Sequence, residues 1–255
     1  MLNLLNSSLL IGAATLFSST AAMAQSEEQT PVAPQKREIQ YNPDNWLLAE
    51  TKNGRNFVHK ASGGICVDEF RDLELLQVID YLPDGTNSSC AYGKLTDAGT
   101  SKLTIYVYTA EGLTGPIAYN NAKQSIRQIA DNSGLTVSDR KEEGRACHEG
   151  VIKPLGEAIL GRINEEGGEG EKASLGLGLA MYQFDIPEVD GRPAQLQTSM
   201  LSVYQTGKWV VKTRVTVPES ETSYRDACNY GGIASVALAR VITRQNGPAI
   251  APEGT

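Results

Sequence analysis

The feature that most constrains the fold is a run of three strand-like segments, 175–182, Gln195 to Gln205 and Lys208 to Val217, which are joined by tight turns. In the first and third segments apolar residues occupy every second position, as in a β-strand with one buried face. Tight turns such as Thr206-Gly207 join only antiparallel neighbours. The sequence therefore predicts an antiparallel meander, with Trp209 largely buried at the head of the apolar face of the third strand.

Hairpin signals precede this meander. Asn53-Gly54 and Pro83-Asp84-Gly85 each lie between two strand-like segments, and Lys102 to Thr109 alternates well. Helical spacing appears over Gly115 to Asp131 and over Tyr224 to Arg244. Hairpins interrupted by one helix and closed by another predict an α+β fold, an antiparallel sheet of hairpins and a meander with helices packed on its faces.

The two helices carry further local signals. The apolar stripe of the first helix consists of Ala118, Ala122, Ile126 and Ile129. In the second, Ser223 with Asp226 three residues later predicts a capping box. Gly231-Gly232 interrupts the second helix, which indicates close packing or a kink. Pro154 to Ile163 is a candidate for a short third helix.

The first 24 residues resemble a secretory signal peptide. A short apolar run, 9–17, precedes Ala22-Met23-Ala24, which places small residues at −3 and −1 of a cleavage site before Gln25. The run is too short to span a bilayer, and no Lys or Arg precedes it. We expect cleavage after Ala24 and a periplasmic protein, with secretion as the alternative.

Composition then divides the remaining chain. A polar, proline-containing stretch predicts a flexible tether over 25–44, and a frayed, disordered tail is expected over 245–255. A single α+β domain is expected over 45–244. Within it the segment 161–172 is rich in Gly and Glu and predicts a mobile acidic loop.

The charge of the chain narrows the classes of partner. The formal net charge is −7, and the first 24 residues contribute no charged side chain. Nucleic acids and anionic lipids select stripes of Lys and Arg, so neither is an expected partner. No second apolar run approaches the length of a membrane helix, so no membrane span is expected in the mature chain.

The cysteines Cys66, Cys90, Cys147 and Cys228 form an even set, which in an exported protein indicates disulfides. Three connectivities are possible. The hairpin at Pro83-Asp84-Gly85 brings Cys90 back towards Cys66, which favours the pairs Cys66–Cys90 and Cys147–Cys228. Four free buried thiols are the alternative.

Chemistry-bearing motifs are absent from the sequence. The four cysteines lack the paired spacing of a zinc site and only two histidines could complete one, so no metal is expected. The glycines of 176–180 lack the context of a nucleotide fingerprint and indicate close packing under a helix, so no cofactor is expected. No nucleophile motif occurs, and carboxylate pairs such as Asp68/Glu69 and Glu142/Glu143 fit ordinary surface charge. No catalytic residue is assigned.

Tyrosines are the remaining candidates for a binding site. The chain has ten tyrosines and two tryptophans. Five tyrosines fall in predicted strands: Tyr92, Tyr106, Tyr108, Tyr182 and Tyr204. Aromatic rings on a sheet face can line a groove for a partner or ligand, and the alternative is that they stabilise the sheet beneath a helix.

Two stretches carry a resemblance to known proteins. The residues 57–63 (FVHKASG) and 207–218 (GKWVVKTRVTVP) look like segments of uncharacterised exported proteins of alphaproteobacteria. The order of hairpins, helix, meander and terminal helix over about 45–244 is similar to the PsbP-like α/β/α sandwich. That topological likeness implies a binding or assembly module without catalysis, and it carries no functional residue across.

These observations lead to one hypothesis and one alternative. The hypothesis is a periplasmic, non-catalytic module that binds an unknown protein or a small ligand. The alternative is a periplasmic hydrolase that uses a carboxylate acid/base pair. A pocket with two facing carboxylates would favour the hydrolase, and an open tyrosine-lined sheet face would favour the binding module.

Overall fold

The computed structural model describes residues 37–109, 114–158, 176–189 and 193–246. The predicted signal peptide, the acidic segment 161–172 and residues 247–255 lie outside this part of the chain. The strands are β1 (Trp46–Thr51), β2 (Gly54–His59), β3 (Ile65–Val67), β4 (Glu69–Phe70), β5 (Leu73–Asp80), β6 (Asn87–Thr96), β7 (Gly99–Thr109), β8 (Thr136–Asp139), β9 (Gly176–Ile186), β10 (Gln195–Thr206) and β11 (Trp209–Pro218). The helices are α1 (Gly115–Asn132), α2 (Lys141–Cys147) and α3 (Ser223–Asn246).

The strands form two antiparallel sheets. The larger sheet has the order β4-β5-β6-β7-β11-β10-β9-β8 among the described residues, and the smaller has the order β1-β2-β3. Helices α1 and α3 pack against the larger sheet. The expected α+β fold, an antiparallel sheet with helices on its faces, is confirmed.

The predicted meander forms the centre of the larger sheet. Strand β10 pairs with β9 on one side and with β11 on the other, and Thr206 lies opposite Trp209 across the turn. Gly207 in this turn has φ of 57°, a left-handed conformation that glycine adopts without steric cost. Trp209 is 1% exposed, as expected from its place at the head of the apolar face.

Helix α1 crosses from β7 to β8 and lies over β8, β9 and β10. Its buried residues are Ala118, Ala122, Ile126 and Ala130. Ile129, which the sequence pattern placed in this stripe, is instead 48% exposed. The stripe continues from Ile126 to Ala130 because residues four apart lie on the same side of a helix.

Helix α3 begins differently from the sequence expectation. The Thr222 hydroxyl donates to the Asp226 carboxylate at 2.9 Å, and the Thr222 carbonyl accepts from the Asp226 N–H at 2.9 Å. Ser223, predicted to cap the helix, is buried, with its hydroxyl 2.9 Å from that of Thr198. The expected capping box is therefore replaced by an interaction one residue earlier, because the sheet beneath the helix binds Ser223.

Close packing explains the glycine pair inside α3. A Cβ at Gly231 would lie 2.9 Å from Val215 Cγ2 and 3.1 Å from Met200 Sδ, and one at Gly232 would overlap Ile152. Ile152 belongs to a π-helical turn, His148–Ile152, that continues α2, and residues 153–158 are again helical. The two glycines thus let α3 approach both the sheet and this turn.

Two apolar layers lie on opposite faces of the larger sheet. Helix α1 covers one layer, which includes Tyr182, Phe184 and Leu201. Helix α3 and the smaller sheet cover the other, which contains Phe57 and Trp209. The main contacts of α1 are with β8, β9 and β10, and the apolar layer beneath it ends at Val210 of β11 and Tyr108 of β7. Beyond this edge, no helix makes extensive contact with the same face of β5, β6 and β7 among the described residues.

Two disulfides tie these layers together. Cys66 on β3 is bonded to Cys90 on β6, with Cα atoms 6.1 Å apart, and links the smaller sheet to the larger. Cys147 at the end of α2 is bonded to Cys228 on α3, with Cα atoms 5.7 Å apart. These are the pairs that the sequence analysis favoured.

The start of the described chain packs against the domain. All described residues belong to one compact unit that begins at Arg37. Ile39 is 5% exposed, and the ring of Tyr41 lies 5.2 Å from that of Phe57 in an edge-to-face contact. Residues 37–44, assigned to the tether from composition, are therefore part of the folded unit. Within the described residues, no helix combines the length and apolar character needed to cross a membrane.

Candidate binding site on the uncovered half of the sheet

The pleat of β11 presents two different surfaces. Trp209, Val211, Thr213, Val215 and Val217 are buried on the side covered by α3. The alternate residues lie on the other side, where Lys212 and Arg214 are half-buried and Val210 is buried. Lys212 pairs with Tyr106 of β7, and Val210 pairs with Tyr108. The register therefore places two cations and Tyr106 beyond the half of the sheet that α1 covers, with Tyr108 at the edge of the α1 layer.

Tyr81, which follows β5, completes this surface. Its ring stacks on that of Tyr106 with centroids 6.3 Å apart and planes at 24°. Its hydroxyl lies 3.1 Å from the Ser89 hydroxyl, which holds the ring over the sheet. We call the surface formed by Tyr81, Tyr106, Tyr108, Lys212 and Arg214 the open face.

The two cations of the open face are held by aromatic rings. The Lys212 ammonium lies 4.0 Å from the centroid of the Tyr106 ring, and the Arg214 guanidinium lies 5.6 Å from that of Phe184. These are cation–π contacts, which attract a cation without neutralising it. Neither side chain forms an ion pair with a carboxylate in the described part of the chain.

The electrostatics of the open face favour an anion. Burial lowers the pKa of Lys212, and the neighbouring Arg214 cation lowers it further. Burial also lowers the pKa of Arg214, whose Nε is buried without a hydrogen-bond partner among the described residues. Burial raises the pKa of Tyr106 and Tyr108, so both hydroxyls stay protonated and able to donate. An incoming anion would relieve the unfavourable burial of both cations.

A cleft extends the open face towards β5. It has a volume of about 700 Å³, and its floor includes Gln77, Ala91 and Thr104, while Arg37 and Lys102 add two more cations. Thr104 lies opposite Arg214 across the β7–β11 pair, so cleft and open face are continuous. The volume lies within the range of small-ligand sites, roughly 300 to 1,000 Å³.

The five tyrosines singled out in the sequence do not share one surface. Tyr92 and Tyr204 are buried in the layer beneath α3 and the smaller sheet, and Tyr182 is buried beneath α1. Tyr106 and Tyr108 are half-buried on the open face. The candidate face is therefore corrected to Tyr106 and Tyr108, because the other three are fully buried; Tyr108 also packs against the edge of the α1 layer.

Sequence reasoning missed Tyr81, Lys212 and Arg214. A signal for the two cations exists, since they occupy the polar alternate positions of a strand whose other face is apolar. Their proximity to Tyr106 depends on the pairing of β11 with β7, which local pattern does not reveal. Tyr81 falls within the strand-like segment 75–82 of the sequence, but β5 ends at Asp80, and the contact of Tyr81 with Tyr106 depends on tertiary structure.

The buried His59 network is a structural centre. Ser62 Oγ lies 2.8 Å from His59 Nδ1, and Ser88 Oγ lies 3.4 Å from Nε2. Ser88 also donates to Asp80 at 2.6 Å, as does Trp46 Nε1 at 2.8 Å. His59 is 1% exposed, so no substrate reaches it, and the network joins the smaller sheet to the larger.

The carboxylates lie apart from one another in the clefts. The cleft beside the open face is lined by one carboxylate, Glu38, and a cleft between α1, α2 and β9 by one, Asp139. A third cleft near the end of β5 is lined by Asp80 alone. These counts concern the described residues. Two facing carboxylates, the arrangement that would favour the hydrolase, do not line any of these three clefts.

Asp68 and His148 are not part of the open face, and each contacts a titratable neighbour. Asp68 accepts hydrogen bonds from Arg55 Nε at 2.9 and 3.0 Å. His148 Nδ1 lies 3.4 Å from Glu149 beside α2. The described residues contain no group of three or more His, Cys, Asp or Glu side chains suited to a metal ion.

Comparison of the chain with protein families, with curated proteins and with solved structures finds no match.

Proposed function

We propose that this protein is an exported, non-catalytic binding module whose open face takes a small organic anion. The ligand would carry a phosphate or carboxylate group between Lys212 and Arg214 and a flat ring or apolar part over the tyrosines. The observation that carries the proposal is the pair of half-buried cations without a carboxylate partner in the described chain.

The energetics support this choice of ligand. A hydrogen bond that involves a charged group contributes about 1.5 to 3 kcal/mol, which is more than tenfold in affinity for each contact. Perturbed pKa values cluster at functional sites because burial that is costly for the fold is retained where a ligand needs it. Lys212, Arg214, Tyr106 and Tyr108 form such a cluster.

The shape of the surface supports a binding module over the hydrolase. The open face is broad and continuous with a cleft, and each cleft considered above is lined by a single carboxylate among the described residues. General acid/base hydrolysis of a glycosidic bond requires two carboxyl groups that flank the scissile bond. The hydrolase thus remains the alternative with less support.

Export is part of the proposal and rests on the signal-like residues 1–24 together with the two disulfides. Disulfides persist in oxidising compartments such as the bacterial periplasm. The resemblance to the PsbP-like sandwich belongs here as an interpretation, since it also implies a module without catalysis.

A calorimetric titration with phenyl phosphate tests the proposal, because this probe carries both an oxyanion and a ring. We expect saturable binding that phenol, which lacks the charge, does not reproduce. The double variant Lys212→Met/Arg214→Met should weaken binding by more than about tenfold, since it removes both charged contacts. Lys52→Met/Arg225→Met changes the net charge equally at exposed positions and should bind like the wild type.

Any of four outcomes would overturn the proposal. One is the absence of saturable binding by phenyl phosphate and by benzoate, the carboxylate equivalent. Another is an equal loss of binding in the open-face and control variants. The third is turnover of nitrophenyl glycosides that survives Lys212→Met/Arg214→Met, which would favour the hydrolase. If the open-face variant lost only the capture of an acidic protein, the small-ligand assignment would be wrong.

A further inference from the structure

A second cationic cleft lies on the other side of α1. It has a volume of about 440 Å³ and is bounded by α1, α2 and the outer edge of β9. Lys123 of α1, Lys141 and Arg145 of α2, and His148 of the turn that follows α2 line it. We call it the α1–α2 cleft. Its cationic side chains come from separate elements, so the tertiary structure assembles the cluster.

Neighbouring charges at the rim are already engaged with one another. Asp139 accepts two hydrogen bonds from Arg127, at 2.9 and 2.8 Å. Arg140 donates to Glu143 at 2.7 Å. The single carboxylate lining the cleft in the described chain is therefore bound to a cation outside the lining, and Arg140 is neutralised within its own ion pair.

Lys123, Lys141 and Arg145 have no carboxylate partner in the part of the chain that the structure describes. Lys141 and Arg145 are four residues apart on α2, where like charges destabilise a helix. Lys141 is also the first residue of the helix, where the helix dipole disfavours a cation. Three cations in one cleft, without a carboxylate partner among the described residues of a chain with net charge −7, indicate a site for negative charge.

The wall of the cleft is well defined. The Tyr119 hydroxyl donates to the Leu179 carbonyl at 2.7 Å, and Lys123 Nζ lies 5.4 Å from the centroid of the Tyr119 ring. Gly178 lets the ring lie against β9, since a Cβ there would be 2.9 Å from Tyr119 Cβ. The ring therefore positions Lys123 towards the cleft from the side opposite α2.

We infer that the α1–α2 cleft binds a small oxyanion with more than one negative charge, of the phosphate class. Two ammonium groups and a guanidinium around a small cleft match such a group, because a guanidinium can bind two phosphate oxygens at once and an ammonium acts as a compact point charge. This site is separate from the open face and does not depend on the function proposed for that surface.

Pyrophosphate is the probe for this inference. Amide NMR during a titration should show saturable shifts that centre on Lys123, Lys141 and Arg145, with an affinity that falls as salt rises. Lys141→Gln/Arg145→Gln should weaken binding at least about tenfold, since it removes two close charges. Lys52→Gln/Arg225→Gln is the control with equal charge change and should bind like the wild type.

The same titration separates this inference from the proposed function. Lys212→Met/Arg214→Met should leave pyrophosphate binding unchanged, while it weakens phenyl phosphate binding at the open face by more than about tenfold. Pyrophosphate binding that disappears in this open-face variant would overturn the second site. So would the absence of saturable shifts, or an equal loss in the control.

The acidic segment of the chain itself is an alternative occupant of the cleft, and one more experiment tests it. Glu165, Glu166, Glu169 and Glu171 lie in the sequence shortly before β9. If the wild type does not bind pyrophosphate and replacement of these four residues by Gln makes it bind, the segment is the occupant and the inference is wrong. Equal binding with and without the replacements supports an external anion.

Discussion

Substitution of Gly178 by Ala provides a quantitative test of how α1 is seated on the sheet. A Cβ at this position would overlap Tyr119 Cγ and lie 2.9 Å from Tyr119 Cβ. These atoms form the base of the side chain, so a change of ring rotamer cannot by itself make room. Either the α1 backbone must move away from β9, or the ring must leave its site and lose the 2.7 Å hydrogen bond to the Leu179 carbonyl.

The change in the free energy of unfolding caused by Gly178→Ala is the sum of opposing effects. Overpacking a well-packed site costs about 1 to 3 kcal/mol, and loss of the hydrogen bond costs about 1 kcal/mol more. Replacement of a strand glycine by alanine returns roughly 0.5 to 1 kcal/mol through the lower entropy of the unfolded chain. We therefore expect a net loss of about 2 kcal/mol in the free energy of unfolding, and a fall in Tm of about 5 °C for a domain of this size.

Urea unfolding and thermal melts of matched variants measure this effect. Gly156→Ala is the control, because Gly156 lies in the helical segment 153–158 and a Cβ there meets nothing within 4 Å. It should stabilise the protein by up to about 1 kcal/mol through helix propensity. Tyr119→Ala removes Cγ and the ring, so Gly178→Ala should cost less in that background, and the two substitutions should show a coupling energy of about 0.5 to 3 kcal/mol.

The reasoning would be refuted if Gly178→Ala melted at or above the temperature of the wild type. Additive effects of Gly178→Ala and Tyr119→Ala would equally show that the two residues do not compete for the same space.

Two further predictions concern stability. Cys147→Ser/Cys228→Ser should lower the free energy of unfolding more than Cys66→Ser/Cys90→Ser. The first disulfide joins residues 81 apart in sequence and the second joins residues 24 apart, and chain entropy gives about 4.5 and 3.5 kcal/mol respectively. A larger fall in Tm for the Cys66/Cys90 variant would contradict this. Burial lowers the pKa of His59 from 6.5, so its contribution to stability is complete above that pH and is lost as pH falls through the window below it. Urea unfolding across this window should show a smaller loss of stability for His59→Asn than for the wild type, and equal losses would show that His59 does not carry the effect.

Local chemistry in the sequence was enough to predict most of the sheet. Thr206-Gly207 and Pro83-Asp84-Gly85 are turn sequences whose backbone preferences force antiparallel neighbours, and alternation in Lys208 to Val217 identified the buried face of β11. The pair Cys66–Cys90 followed from the same hairpin geometry. These features depend on residues close together in the chain, and short-range geometry determines them.

The burial of individual apolar residues was less predictable. Ile129 appeared in an apolar stripe and is largely exposed, while Ile39 lay in a polar stretch and is buried. Helical spacing locates the edge of an apolar stripe only to within a residue. Whether a residue at that edge is buried depends on which part of the protein packs against it. Burial of a single apolar residue in a polar segment depends on a site formed elsewhere in the chain.

The candidate site depended on tertiary structure. From sequence, Tyr106 and Tyr108 share a face because they are two residues apart on one strand. The position of Lys212 opposite Tyr106 depends on the pairing of β7 with β11, two strands that are about a hundred residues apart in the chain. The face that α1 covers also depends on tertiary structure. Core packing sets that register, since a slip of one residue would turn Trp209 and Val211 to the opposite face. The sequence by itself determined the strands, their turns and the local disulfide; only the packing of α1 on one half of the sheet decided which polar side chains remain uncovered.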